Sequence, residues 1–333
     1  MGRFITKHSP LFILAGLCIV LAVASPVFRS SGNLQGVALR TAVIGVMAIG
    51  QLAVILTGGI DLSVGSVAAL SGVVGCIAMI NFGVPVDEAS SVFHRAFAAV
   101  VNYEAPVVAG VFIGAGVGLL CGLVNGLLVA KGRIPPFIVT LGMMMVARGG
   151  TLIFSGAVAI FGLPSAFAWL GGARAWWLPV GLMFGFAAFF TVTLNFTRFG
   201  RSLYAVGGNN EAARLSGIPV DRVRIAAFTI SGGAAGFAGM MLASWTSIAS
   251  PTAGEMYELY AIAACVIGGA SLMGGEGGAF ATVAGALIMT VLRNFCNLQN
   301  INVHWQQILV GALLIALVYY DNRRKRKAGL LKS

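Results

Sequence analysis

Read for apolar and polar positions alone, the chain is a series of long apolar runs broken by short polar segments. Ten runs stand out: residues 11–28, 41–58, 62–80, 106–130, 137–156, 176–196, 225–248, 259–273, 279–297 and 304–320. Runs of roughly 17–25 apolar residues are what a helix needs to cross a bilayer. A segment in hydrocarbon must satisfy its own backbone hydrogen bonds, and a helix does so. The pattern therefore predicts an all-α polytopic membrane protein with about ten transmembrane helices. The first run follows one Arg and one Lys, and no small-residue cleavage site comes after it. It reads as a retained span, not a removed signal.

Composition agrees with this solvent. Only 9% of residues are charged and 58% are hydrophobic, against about 25% charged in average soluble domains. The 46 glycines suit helices that pack backbone to backbone in a membrane. A net charge of +11 would suggest nucleic acid in a soluble protein, but its placement does not. With the N-terminus in the cytoplasm, fifteen Lys and Arg fall in inside segments and four outside: Arg29, Arg40, Arg95 and Arg174. That is the positive-inside bias, and it puts both termini in the cytoplasm and excludes a need for nucleic acid. The five Cys lie within apolar runs without CxxC spacing, and read as packing residues.

The polar interruptions set the organisation of one membrane domain over residues 1–333. The longest outside segment is 81–105, where Ser90–Val101 could form a surface helix. The inside segments include a loop over 197–224 and a basic tail over 321–333, whose RRKRK run suits anionic lipid. "GGIDLSVG" (58–65) and "GGASLMGG" (268–275) share four of eight positions. Glycine-interrupted segments at matching places in two halves point to an internally repeated transporter fold.

Within the loop, "GNNEAARLSGIPVDRVR" (208–224) reads as a short helix over 210–216. Asn209 or Asn210 can cap its start. Glu211 and Arg214 suit the helix dipole, Gly217 fits a left-handed stop, and Pro219 prevents continuation. Two turns are too short to be stable alone, so the helix packs either on this chain or on a partner.

Here the chain resembles a known family. Glu211-Ala212-Ala213 with Gly217 is similar to the EAA loop of bacterial ATP-binding-cassette importers. "LTGGIDLSVGS" (56–66), "VNGLLVAKGRIPPFIVTLG" (124–142), "FGRSLYAVGGNNEAARLSGI" (199–218) and "VIGGASLMGGEG" (266–277) follow in the order seen in ribose-type permeases. The resemblance covers about residues 40–320. It implies a bacterial inner-membrane permease subunit for a monosaccharide such as ribose, galactose, arabinose or xylose, with no catalytic activity of its own. Asn209, Asn210, Glu211, Ala212, Ala213, Arg214 and Gly217 would then form the coupling helix. Ala212 and Ala213 would present a small face to an ATPase subunit that binds ATP and Mg. Further partners implied are a periplasmic sugar-binding protein and a second permease copy, identical or a sister chain. The chain itself has no G-x-x-x-x-G-K-[ST] phosphate loop, as an ATPase on a separate chain requires.

Polar groups within spans are the candidates for gate or pathway: Gln51, Gly58, Gly59, Asp61, Asn125 and Trp245, with Thr140, Thr229, Ser231, Ser244 and Thr246 as further solute contacts. Asp61 is either a cap of the third span at the membrane surface or a gate residue, since a carboxylate at depth is costly and functional when present. Gly58 and Gly59 would allow a helix break. Arg148, mid-span, must pair or face a polar space. Arg293 and Asn294 read as interfacial anchors. An ion-coupled secondary transporter is the alternative class, but it wants several intramembrane carboxylates and only Asp61 is near. An intramembrane protease wants Ser and His together at depth, whereas His8, His94 and His304 lie at ends or in loops.

Overall fold

The computed structural model describes residues 9–81, 107–172 and 175–327. Their element order is α1 (Ser9–Ala24), α2 (Ser31–Leu56), α3 (Val64–Asn81), α4 (Val107–Ala130), α5 (Pro136–Ser155), a 3-10 turn (Ser165–Trp169), α6 (Trp177–Phe196), α7 (Arg198–Gly208), α8 (Asn210–Leu215), α9 (Val220–Thr246), α10 (Tyr257–Ile267), α11 (Ala279–Leu298) and α12 (Val303–Lys327). No β-strand occurs among the described residues; Ile160 and Ala249 form one isolated backbone pairing. Six helices, α2, α4, α5, α6, α9 and α11, are long and apolar enough to cross a membrane. Four shorter apolar stretches lie at Leu14–Val23, Val64–Ile80, Tyr257–Ile267 and Val303–Tyr319. Each expected run contains a helix, and the chain is an all-α polytopic membrane protein.

Four boundaries differ from expectation for identifiable reasons. α2 begins at Ser31, not residue 41, because Ser30 caps it by accepting from the Asn33 N–H; Arg40 therefore lies within the helix. The run 259–273 yields only the 11 residues of α10, about 16 Å at 1.5 Å per residue, half of a roughly 30 Å hydrocarbon core. Gly268 and Gly269 end it. The loop 197–224 holds two helices, since the amphipathic α7 precedes α8 and buries Leu203 and Val206 on one face. The basic segment after 320 continues α12 to Lys327. The surface helix expected at Ser90–Val101 and nearly all of loop 81–105 lie outside the described residues, as do Arg95, Arg174 and His8.

α2 is the axis of the fold. Every residue from Thr41 to Leu56 is buried, as a helix apolar on all sides must be. It packs against α6, α7, α9, α10 and α11, while α9 also packs on α3 and α4. Exposed large apolar side chains gather on the periphery, among them Phe137, Met145 and Ile153 of α5 and Phe189 and Phe196 of α6. Trp176, Trp177 and Trp305, at helix ends, are exposed too, in keeping with an aromatic belt.

The most extensive contact between described helices is that of α4 with α9. Gly110, Gly114, Gly118, Gly122 and Gly126 recur every four residues and are buried on one side of α4. Such spacing keeps one face free of side chains. A Cβ at Gly118 would run into the Gly232 carbonyl and the Gly236 backbone, and one at Gly232 into Gly118 and Gly122. Without a hydrophobic drive between helices in lipid, this contact area holds the pair together. Gly118→Ala is expected to destabilise by about 1–3 kcal/mol through overpacking, while Gly149→Ala, which meets open space, leaves the melting temperature unchanged. Thermal unfolding of the two purified variants checks this.

Candidate functional site

The site grows from the way α2 ends. Leu56 is its last residue, the Gly58 N–H bonds the Ile55 carbonyl at 2.9 Å, and the Gly59 N–H bonds the Val54 carbonyl at 3.1 Å. Gly58 takes φ +77°. This is the glycine-terminated turn in which a left-handed residue lets the chain double back onto the last carbonyls. It leaves residues 57–63 without helix, with α2, α3, α4, α5 and α9 around them; Thr57, Gly59, Asp61 and Ser63 are buried, Ile60 and Leu62 half-buried and Gly58 exposed.

Four of those helices grip the break through single polar side chains. Gln51 of α2, with its amide oriented to satisfy both groups, donates to the Asp61 carbonyl and accepts from the Asp61 N–H, both at 3.1 Å. Thr140 of α5 shares its hydroxyl proton between the Pro136 carbonyl of its own helix at 2.9 Å and the Ile60 carbonyl at 3.3 Å. Asn125 of α4 donates to the Ser63 hydroxyl at 3.0 Å. Ser231 of α9 donates to Asp61 Oδ2 at 2.9 Å, from 170 residues away. Asp61 Oδ1 accepts from the Ser63 N–H at 3.0 Å and from its hydroxyl at 2.6 Å.

Asp61 is 1% exposed. The carboxylate does organise the start of α3, but it is enclosed and joins α3 to α9. Gln51, Asp61, Asn125, Thr140 and Ser231, predicted separately, form one cluster. Most of their polar atoms engage one another or the backbone, as the cost of an unpaired polar group requires; Asn125 Oδ1 is buried without a partner among the described residues.

The remaining candidates lie elsewhere. Trp245 sits under the Arg40 guanidinium, 5.4 Å from ring centroid. Thr229 and Thr246 bond carbonyls of their own helix, and Ser244 bonds the Phe167 carbonyl at 2.6 Å. Arg148 donates to the Pro251 and Ala253 carbonyls at 2.6 and 3.2 Å, tying α5 to the segment before α10. Asn294 exchanges two hydrogen bonds with Asn33, and Arg293 lies over Tyr257 and Tyr260. Both make ties within the chain. The five cysteines are free.

A second break, 268–278, meets the first. α10 ends in the same kind of turn: the Gly269 N–H bonds Val266 and the Ala270 N–H bonds Cys265, both at 2.9 Å, with Gly269 at φ +87°. The left-handed glycine is the first of the pair in "GGIDLSVG" and the second in "GGASLMGG", so the two stretches end their helices one residue out of step. The Gly275 N–H donates to the Leu56 carbonyl at 3.0 Å. Gly207, near the end of α7, lies against both. A Cβ there would collide with the Leu56 carbonyl and the Gly275 N–H. Tyr204 adds a hydrogen bond to the Gly277 carbonyl at 2.8 Å. Gly207, Leu56 and Gly275 thus form a three-way backbone junction, which carried no chemical signature in the sequence beyond its glycines.

α8 follows one residue after α7. Asn209 caps it, accepting from the Ala212 N–H at 2.9 Å. Gly217, at φ +81°, ends it: the Gly217 N–H bonds Arg214 and the Ile218 N–H bonds Ala213. Asn210 is its first residue and Glu211 lies in its first turn. Arg214 pairs with Asp221 at 3.3 Å, both well exposed, worth about 0–1 kcal/mol. The two alanines divide. Ala213 is buried in the chain's own core, whereas Ala212 is exposed. The outward surface is Glu211, Ala212, Arg214 and Leu215, and Leu215 is 86% exposed. The polar length of the segment hid that apolar residue from a reading centred on charge.

Asp61→Ala is expected to leave the Ser63 N–H and the Ser231 hydroxyl without partners, at about 1–3 kcal/mol for an orphaned buried group. Thermal unfolding should show a larger drop for Asp61→Ala than for Ser231→Ala, which removes one donor only.

Comparison with known proteins gives the cluster and the junction their context. The chain is 36% identical to the ribose import permease protein RbsC of Escherichia coli (strain K12), over 97% of each chain. It is 37% identical to that named ribose import permease protein RbsC in Bacillus subtilis (strain 168), over 96% of this chain and 93% of the relative. To the L-arabinose transport system permease protein AraH of Escherichia coli (strain K12) it is 37% identical, over 98% and 93%. No solved structure matches. A family profile described as branched-chain amino acid transport system / permease component matches residues 33–318, a span that contains both breaks, the junction and α8. The chain belongs to this permease family.

Proposed function

We propose that the chain is the membrane-spanning, non-catalytic subunit of an ATP-driven importer that carries a monosaccharide of the ribose or arabinose kind across a bacterial inner membrane. The observation that carries this reading is identity of 36–37% to ribose and arabinose permeases along almost the whole chain. In this reading the chain crosses the membrane about ten times with both termini cytoplasmic, so that the Gly207 junction and α8 would lie inside and the segment 247–256 outside. An ATPase subunit holding ATP and Mg docks on α8, a periplasmic sugar-binding protein on the outer face, and a second permease copy, identical or a sister chain, completes the pathway.

α8 is built for this docking. It is held at one end by the Asn209 cap, at the other by Gly217, and beneath by Ala213. Leu215 presents an apolar side chain to water, the kind of residue that a partner's groove covers. Movement of α8 reaches α7, and from Gly207 it reaches the end of α2 and the 268–278 break by direct backbone contact. The Asp61 cluster then links that point to α3, α4, α5 and α9. ATP-driven closure of the ATPase pair would in this way turn the membrane helices between inward-open and outward-open arrangements.

Two experiments test it. Mild extraction of the tagged chain from its host, followed by mass spectrometry, is expected to recover an ATPase. Leu215→Asp, and Glu211→Ala together with Gly217→Ala, should lose it while the chain still inserts. Recovery of no ATPase from the unmodified chain would overturn the reading. Gly207→Ala is expected to uncouple: in a reconstituted complex, ATP hydrolysis persists and sugar uptake falls at least about tenfold.

A further inference from the structure

At the end of α9, α10 and α11 opposite the Gly207 junction, a cavity of about 330 Å³ opens between these helices, the segment 247–256 and the start of α12. Its walls differ from those of two larger cavities, of about 580 and 390 Å³, which are lined almost wholly by apolar residues. Tyr257 and Tyr260 meet edge to face at 5.9 Å. The Arg293 guanidinium lies over both rings, at 6.0 and 5.0 Å from their centroids. Gln307 of α12, with Thr252 and Glu255, completes the polar wall.

Arg293 is not satisfied by these neighbours. Its Nη1 is buried and has no hydrogen-bond partner among the described residues. The aromatic faces attract the cation but accept no directed hydrogen bond in the guanidinium plane, and a buried donor left unpaired is costly. The cavity beside it has room for an acceptor.

The chemistry of that acceptor follows from the rest of the wall. A guanidinium and a carboxylate face the same space, so an ion of either sign meets a like charge. A neutral solute with many hydroxyls can accept from Arg293, donate to Glu255 and do both with the Gln307 amide. Tyrosine faces suit the C–H surface of a sugar ring. The volume is at the small end of the roughly 300–1,000 Å³ of ligand pockets. We propose that this cavity is a binding site for a single monosaccharide within the permease, with Arg293 and Gln307 bonding its hydroxyls and Tyr257 and Tyr260 holding its apolar face. The site rests on the importer reading and adds a point of solute selection separate from the binding protein.

The test is direct. The purified chain in lipid nanodiscs, free of sugar-based detergent, is mixed with D-ribose or L-arabinose, and saturation-transfer NMR reads contact with the sugar protons. Transfer is expected for at least one of the two sugars. It should weaken about fivefold, as the loss of one hydrogen bond would produce, in Gln307→Ala and in Arg293→Gln, and stay unchanged in Thr193→Val, on the exposed face of α6 and outside the cavity. If Arg293→Gln fails to fold, Gln307→Ala decides. In the reconstituted complex the same variants should raise KM for uptake more than they lower kcat. No transfer to either sugar, or transfer unchanged in Gln307→Ala, overturns the site. Absence of ATP-driven uptake by the unmodified complex instead overturns the importer reading, so the two failures are distinguishable.

Discussion

A helix that stops inside a membrane protein leaves backbone groups that water cannot reach, and the rest of this structure depends on how those groups are satisfied. The turn at Gly58 returns two N–H groups to the last carbonyls of α2. Over residues 60–63, four residues act from outside the segment: Gln51 and Thr140 reach the backbone of Asp61 and Ile60, and Asn125 and Ser231 hold the side chains of Ser63 and Asp61. Each comes from a different helix, so the break cannot form until those helices are in place. In return, the break specifies their mutual position, since one buried carboxylate joins α3 to α9. Non-helical backbone at depth is tolerated where protein surrounds it, and here the enclosure is built from one amide or hydroxyl per helix.

The glycines act in two different ways. Along α4 they remove side chains so that α9 can approach. At Gly58, Gly217 and Gly269 they supply a left-handed backbone that ends a helix. The second use ends both α2 at Gly58 and α10 at Gly269 near the junction, which accounts for the likeness between the two short glycine stretches at the level of local geometry: both terminate helices that arrive at one place.

How much of this was legible depended on the range of the interaction. The existence of the helices was legible, since each run of apolar residues holds one. So was α8, because Asn209, Gly217 and Pro219 are local signals that act within a few residues. α7 was hidden: an 11-residue amphipathic helix with three glycines lacks the length of a span, and its cap, Thr197, directly follows the last residue of α6. Asp61 could be seen as unusual, but "DLS" looks like the start of any helix. Its bond to Ser231 is a tertiary fact with no trace in local spacing. Ala213, read as part of an outward face with Ala212, is buried instead, since which side of two turns faces the core is decided by the packing beneath. The four-residue spacing from Gly110 to Gly126 was present in the sequence throughout, and is the one signal that would have located the α4–α9 contact in advance.

The contact of Gly207 with Leu56 and Gly275 is made by main chain alone. Side-chain contacts in a protein have play in them, because rotamers can change while the backbone stands still. A joint of main chain against main chain has no such backlash. Any displacement of α7 toward α2 must appear at Leu56 at nearly its full amplitude, and at the same instant. The chain has thereby placed its stiffest bearing between the part that would receive force and the part that would have to move.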